Sequence, residues 1–387
     1  MSLREQAILM VSASTAVTDL IFELCEQCES EHLRIFVART TDEVEHLLEH
    51  RMISMAIVDQ STLPDLPYLS QLARAINPMP TVALVEEGTA ESLVASLRNG
   101  ADDVFSLSEL QTHPELFVDA MTRQLKRVQV IEEARFLRES LERSLDELRA
   151  DQHAAQQLQQ KLLPPPVREL NHVCFQYILQ PSLLLSGDFV DSIAINENQT
   201  VFYLADVSGH GASSALVTVL LKNMTYRLVR NYNRNSSFDI QSPLATLHRV
   251  NRELLLTGLG KHLTMFIGLI DERDSSLTYA VGGHHPMPIL RQRGDAVYLE
   301  GRGMPIGLFE EPVFDERRID LDPEFSLTLF SDGILEVAEG ETLEAKEQLL
   351  LEACKGKNLS PQSIFDCIIP VGRINPDDVA IMTVTRV

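Results

Sequence analysis

The chain has 387 residues, 44% hydrophobic and 23% charged, the balance of a globular protein long enough to bury two separate cores. Its formal net charge of −23 leaves no basic surplus to hold a phosphate backbone, so nucleic acid is not expected as a partner. Five scattered Cys make no disulfide framework, no apolar run reaches the ~18 residues of a membrane span, and the amino terminus lacks a basic-then-apolar signal, so a cytoplasmic protein with no membrane partner is expected.

Within residues 1–118, short apolar runs alternate with amphipathic segments. Residues 7–11 are a continuous apolar run, as expected of a strand buried on both faces; 33–37, 55–59, 80–85 and 101–105 mark the further strands, and 18–28 and 41–50 carry helical periodicity between them. Such alternation implies a doubly wound parallel sheet. Cys25 and Cys28 form a lone CxxC on the first helix, where small buried apolar side chains are the simpler reading.

The spacing resembles a response-regulator receiver domain. Asp59 stands where that family is phosphorylated, and Gly100-Ala101-Asp102-Asp103 matches the entry to its last strand. The acid pair that binds Mg²⁺ in that family is replaced by Ser12 and Ala13, the hydroxyl residue after the fourth strand by Val85, and the Lys after the fifth by Leu107. Nothing would then neutralise an incoming phosphoryl group. A pseudo-receiver is expected, in which Asp59 escapes phosphorylation by the usual route and the domain dimerises or docks a regulator.

Residues 119–163 are the second region. From Met121 onward it has neither Pro nor Gly and is dominated by the helix formers Glu, Gln, Arg, Leu and Ala. Val130, Ala134, Leu137, Leu141, Leu148, Ala155, Leu158 and Leu162 recur at 3–4 spacing, interrupted at Ser144 and Asp151. This narrow stripe predicts a coiled-coil linker, hence a homodimer, with polar interruptions that set register. Pro164, Pro165 and Pro166 stop the helix and open a third region, 164–387.

There, a strand at 176–180 precedes Gly187-Asp188-Phe189-Val190-Asp191, and turn-forming residues at 196–199 return the chain to 201–206, which ends in Asp206. A hairpin would bring Asp188 and Asp206 together, and the glycines of Val207-Ser208-Gly209-His210-Gly211 permit close backbone approach. Residues 212–232 are almost uncharged and predict a buried helix. Residues 243–256 predict a second, with His248 an ordinary surface residue. A further hairpin is expected over 263–286, where the adjacent His284 and His285 should point to opposite faces of a strand. Another apolar run ends in Asp332-Gly333, with Glu336 beyond it, and Asp377-Asp378 precede a last strand. Strand-end carboxylates at 188, 206, 332 and 377 suit a hard divalent cation, which takes oxygen ligands in preference to His or Cys.

These blocks resemble PPM-type protein phosphatases of the SpoIIE/RsbU-like bacterial branch. Residues 159–164 are similar to the QxxLLP entry of such domains, 187–191 to GGDxxD, 205–211 to the DG-containing metal motif, and 264–271 to TxFxGxID. Residues 279–286 resemble YxxAGH-P, 303–308 resemble GxPLG, 331–336 resemble SDGxxE, and 377–380 resemble DDxT with Ala380 in place of Thr. The resemblance implies an αββα sandwich over 164–387 holding two divalent cations, Mn²⁺ or Mg²⁺. By the same resemblance Asp206 bridges the cations and the Val207 carbonyl is a further ligand. Asp332 and Asp377 hold one cation, and Asp188 supports the other directly or through water, with Asp191 and Asp378 as second choices. Asp206 and Asp188 are then the catalytic acids, and a water activated between the cations attacks a phosphoserine or phosphothreonine. His210 is expected in the turn near the site and not as a ligand, and no basic phosphate-binding residue stands near Asp188.

The resemblance also implies a partner-switching pathway whose substrate is a phosphorylated STAS-type anti-sigma-factor antagonist. The alternative is an adaptor without catalysis, a receiver joined to a phosphatase-like fold that binds a sigma factor. Retention of all four acids weighs against it.

Overall fold

The computed structural model describes residues 6–28, 33–61, 79–209, 211–356, 360–369 and 376–387. The chain falls into two units, Met1–Leu145 and Asp146–Val387. Among the described residues no helix is long and apolar enough to cross a membrane.

The first unit contains β1 (Gln6–Val11), α1 (Thr15–Glu26), β2 (Leu33–Ala38), α2 (Thr41–His50), β3 (Met55–Asp59), β4 (Thr81–Val85), α3 (Ala90–Arg98), β5 (Asp103–Ser106) and α4 (Leu107–Thr112). The strands pair in parallel in the order β2-β1-β3-β4-β5, the doubly wound sheet expected. Successive residues of β1 serve opposite cores: Ile8 and Met10 pack with Ile21 of α1, while Leu9 and Val11 pack with Val44 of α2. Both layers being filled is why these strands read as continuous apolar runs. Ser14, Thr40, Thr89 and Ser106 cap their helices by accepting from the backbone, each contribution worth ~1 kcal/mol. Cys25 and Cys28 are buried in the core beside Phe117 and Met121.

The expected long helix is α5 (Pro114–Leu162), which starts earlier than its periodicity suggested because Pro is tolerated in a first turn. Its Val130, Leu137, Leu141, Leu148 and Leu158 are exposed within the single chain.

The second unit is a four-layer α-β-β-α sandwich. One sheet has the order β14-β11-β10-β9-β8, formed by β8 (Asp188–Ala194), β9 (Gln199–Val207), β10 (Leu263–Asp271), β11 (Ser276–Gly282) and β14 (Asp315–Asp320). The other has the order β13-β12-β15-β16-β7-β6, formed by β6 (Val167–Leu170), β7 (Val173–Gln180), β12 (Ile289–Gln292), β13 (Asp295–Tyr298), β15 (Ser326–Phe330) and β16 (Val379–Arg386). Alternation along the strands divides the cores. Phe189, Tyr203 and Val207 pack against Leu221 of α6 (Ala212–Asn233) and Leu254 of α7 (Pro243–Thr257). Val190, Phe202 and Leu204 leave the opposite face and meet Leu327, Leu329 and Met382 of the second sheet. The outer face of that sheet, with Phe330 and Ile381, is covered by Ile334, Leu350 and Ile364 of α8 (Gly333–Val337), α9 (Leu343–Ala353) and α10 (Pro361–Ile368). Each fully buried large apolar side chain contributes roughly 1.5–3 kcal/mol.

Candidate metal centre

The pairing of β8 with β9 sets Asp188 opposite Asp206. Both are an even number of residues from Val190 and Leu204, so both acids leave the face that looks toward the second sheet. On that sheet β15 and β16 pair up to Phe330 and Ile381. The Ser331 N–H donates to the Ala380 carbonyl at 3.0 Å, and the Ala380 N–H donates to Ser331 Oγ at 2.8 Å. This pairing carries Asp332 and Asp377 to the same end of the sandwich. A pocket of about 300 Å³ opens there, walled by Asp206, Val207, Asp332, Asp377, Glu336 and His262.

Asp188 lies behind the pocket wall, 1% exposed, and neither of its carboxylate oxygens has a hydrogen-bond partner of good geometry. Burial, then the charge of Asp206, pushes its carboxyl well above the usual range, and the nearby Ser331 hydroxyl offsets only part of this. Burial, followed by the charges of Asp332 and Asp377, pushes Asp206 up to about 8. Asp332 is raised by burial and by Asp377. Carboxylates crowded at low dielectric must bind protons or a cation. An orphaned buried carboxylate in an all-oxygen acid set fits a hard divalent ion. Among the described residues no group of three His, Cys, Asp or Glu side chains is drawn together tightly enough to enclose a metal ion.

The backbone that carries Asp188 is held from several sides. Gly187 passes so close to Val207 that a Cβ on it would lie 2.8 Å from the Val207 carbonyl oxygen. Asp378 Oδ2 accepts from the Gly187 N–H (2.6 Å) and Ser186 Oγ (3.1 Å), and its Oδ1 accepts from the N–H and Oγ of Ser182 (2.7 and 2.9 Å). Asp378 is thus a clamp on the 182–187 loop. Asp191 is an odd step from Asp188 and takes the other face, where its buried carboxylate meets Lys222 Nζ of α6 at 2.7 Å. The structure therefore brings Asp206, Val207, Asp332 and Asp377 to one pocket with Asp188 beside it, and gives Asp191 and Asp378 other partners.

Two residues contribute that the sequence reading assigned no role. Gln159, 7% exposed in the last turn of α5, donates through Nε2 to the Ser186 carbonyl (2.6 Å) and Thr218 Oγ1 (3.2 Å), and its Oε1 accepts from the Ser186 N–H (3.2 Å). Its place in the QxxLLP stretch was the signal available. Lys261 donates through Nζ to the Ser208 carbonyl at 2.9 Å and so fixes the turn after Asp206. No local pattern marks it. His210 lies outside the described residues. His284 is buried and burial pushes its imidazole down to about 3, while the adjacent His285 is about half exposed; both follow the end of β11 at Gly282, so the expected strand alternation does not apply to them.

In the first unit Asp59 is 2% exposed. Its Oδ2 accepts from Ser12 Oγ at 2.7 Å, and its Oδ1 accepts from the N–H and Oγ of Ser61 at 3.1 and 2.7 Å. Ser12 thus binds Asp59 from the position where a receiver carries an acid.

Residues 196–387 match the family described as Stage II sporulation protein E (SpoIIE). The chain is 22% identical over 265 residues to Protein IcfG of Synechocystis sp., a match covering 62% of this chain and 42% of that protein. It is 26% identical over 230 residues to phosphoserine phosphatase RsbU of Bacillus subtilis, covering 58% of this chain and 66% of RsbU. The matches thus span less than two thirds of these relatives' own length. In fold it is similar to the SiaA-PP2C domain of Pseudomonas aeruginosa, with a TM-score of 0.52 and 18% identity over 63% of this chain and 98% of that one. The sandwich, its acid-lined end and the family match agree: residues 196–387 match the SpoIIE family, and the second unit has the fold of a PP2C-type domain.

Proposed function

We propose that the chain is a metal-dependent phosphoserine/phosphothreonine protein phosphatase of a cytoplasmic partner-switching pathway. The carrying observation is Asp188, a buried carboxylate with neither oxygen hydrogen-bonded, paired in register with Asp206 on the face that meets Asp332 and Asp377. Asp206, Asp332, Asp377, Asp188 and the Val207 carbonyl would hold two Mn²⁺ or Mg²⁺ ions. When bound, the ions supply a water of lowered pKa and offset charge on the phosphoryl oxygens. The chain's own part is to position the ligands: Asp378 and Gln159 hold the backbone before Asp188, and Lys261 holds the turn after Asp206.

Likeness to a phosphoserine phosphatase supports a phosphoserine protein as substrate, specifically a STAS-type anti-sigma-factor antagonist. The exposed apolar stripe of α5 supports a homodimer, and the sealed Asp59 supports a pseudo-receiver that binds a regulator. An adaptor without catalysis is the second reading; it would leave the buried Asp188 carboxyl to be neutralised by a proton alone, with no ion to compensate it.

The test is Mn²⁺-dependent phosphate release from a phosphoserine protein by the full chain, with Asp206→Asn alongside. Loss of release in the variant is expected. Undiminished release by Asp206→Asn, or none from the unaltered chain with Mn²⁺ or Mg²⁺, would rule out the enzyme.

A further inference from the structure

An apolar surface lies next to the acidic pocket, and the acids at the centre make no use of it. Leu263, between the pocket residues His262 and Thr264, exchanges both backbone hydrogen bonds with Ile306, each 2.9 Å long. The bridge fixes the 303–314 loop against the pocket wall. Asn251 of α7, 2% exposed, then grips the loop from beneath: its Oδ1 accepts from the Gly307 N–H at 2.7 Å and its Nδ2 donates to the Phe309 carbonyl at 2.9 Å. Gly307 has φ +88° and sits so tightly on α7 that a Cβ would lie 2.6 Å from Leu254 Cδ2. The Met304 N–H closes the loop by donating to the Val313 carbonyl at 3.1 Å. With its backbone anchored this way, the loop still leaves Leu308, Phe309 and Val313 between 47% and 66% exposed. Leu259 joins them, 56% exposed on the turn whose Lys261 carbonyl faces Gly307.

We propose that Leu259, Leu308, Phe309 and Val313 form the docking surface for the protein substrate, and that they take apolar residues flanking its phosphoserine. The inference rests on the phosphatase reading above. A chain that places a phosphoryl group in the pocket carries its neighbours across the 306–309 rim, at about 3.3 Å per extended residue. Two divalent ions would offset the carboxylates of the pocket itself, but they leave the chain, with its formal net charge of −23, strongly acidic, so long-range electrostatics does not draw a phosphoprotein in. Affinity must come from contacts outside the pocket, and an apolar surface on a pre-anchored loop supplies them with little ordering cost. Exposed Glu310 and Glu311 beside Phe309 add a preference for a basic residue at the edge of the same segment.

The experiment compares two phosphoserine peptides of equal length and charge, one flanked by Leu and Val, the other by Ser and Gln. Both are tested on the full chain and on Leu308→Ser and Phe309→Ser, with p-nitrophenyl phosphate as a small substrate. The apolar peptide should have the higher kcat/KM, and each variant should lower it about tenfold through KM, with p-nitrophenyl phosphate turnover held within about twofold. Equal kcat/KM for the two peptides, or variants that slow all three substrates alike, would overturn the docking surface. So would variants that reduce self-association in sedimentation while peptide kinetics stay unchanged, since the surface would then join two copies. Fluorescence anisotropy of the same peptides needs no turnover. If no substrate is hydrolysed with either metal, the phosphatase reading fails, and the docking surface then stands or falls on whether the apolar peptide binds preferentially and loses that preference in the variants.

Discussion

Each unit of this chain sets an acid at one terminus of a buried strand, and the two termini are finished in opposite ways. Asp59, at the end of β3, has both carboxylate oxygens occupied by Ser12 and Ser61. Asp188, opposite the end of β9, has both oxygens buried and unpartnered, with Asp206 across the hairpin. A satisfied carboxylate is a structural element, whereas an orphaned one destabilises the fold until something binds it. The difference is one of neighbours: a hydroxyl supplied from β1's end in the first unit, further acids in the second.

The largest expected effect is on phosphate release. Asp188→Asn and Asp206→Asn should each lower Mn²⁺-dependent turnover by about 10²-fold or more, while Asp59→Ala should leave it within about twofold. Comparable losses in all three would erase the contrast between the units. Stability sharpens it further, because the signs should oppose. Asp59→Ala strips the carboxylate partner from the buried Ser12 hydroxyl and from exposed Ser61, and should cost about 1–3 kcal/mol in denaturant unfolding. Asp188→Asn, melted without metal at neutral pH, should raise Tm, because it removes a buried carboxyl that the fold forces to take up a proton. A lower Tm would mean that Asp188 is satisfied in solution.

A pH series tests the same crowding. Asp206 is raised from the ordinary carboxylate range to about 8, so its protonated form is the one the fold prefers. Its contribution is therefore fully present below about pH 4 and is lost as pH climbs toward 8. Metal-free protein should lose Tm across pH 5–8, Asp206→Asn should lose less, and Mn²⁺ should flatten or reverse the slope. Identical slopes with and without metal would show that no cation takes the proton's place.

Smaller still, Gln159→Ala should raise the Mn²⁺ concentration for half-maximal turnover by about tenfold at nearly unchanged maximal rate, the effect of a residue that orients a ligand without being one. An unchanged metal requirement would reduce Gln159 to packing. Last, incubation with a small phosphoryl donor should add no phosphoryl mass at Asp59.

The order of elements was legible because burial on both faces of the first sheet, and strand ends closed by Asp in the second unit, leave marks along the chain itself. The hairpin that pairs Asp188 with Asp206 could be read from the turn residues at 196–199. What could not be read was which acids are free. Asp191 stands three residues from Asp188 in a motif that invites both as ligands, and only Lys222, 31 residues away on α6, removes it. Asp378 adjoins Asp377, yet it is occupied by donors 191 to 196 residues distant. Side-chain partnering across such separations has no periodicity, so it appears only once the sheets are stacked.

The Gln159 amide meets both the N–H and the C=O of Ser186, as a neighbouring strand would at a sheet edge. A fragment cut at the Pro164–Pro166 stop would carry every candidate metal ligand and still leave that peptide group buried with nothing to bind. Weak activity in such a fragment would then report a missing wall of the site and not the loss of an activating signal. A fragment beginning at Asp146, where the second unit begins, keeps the glutamine and separates the two explanations.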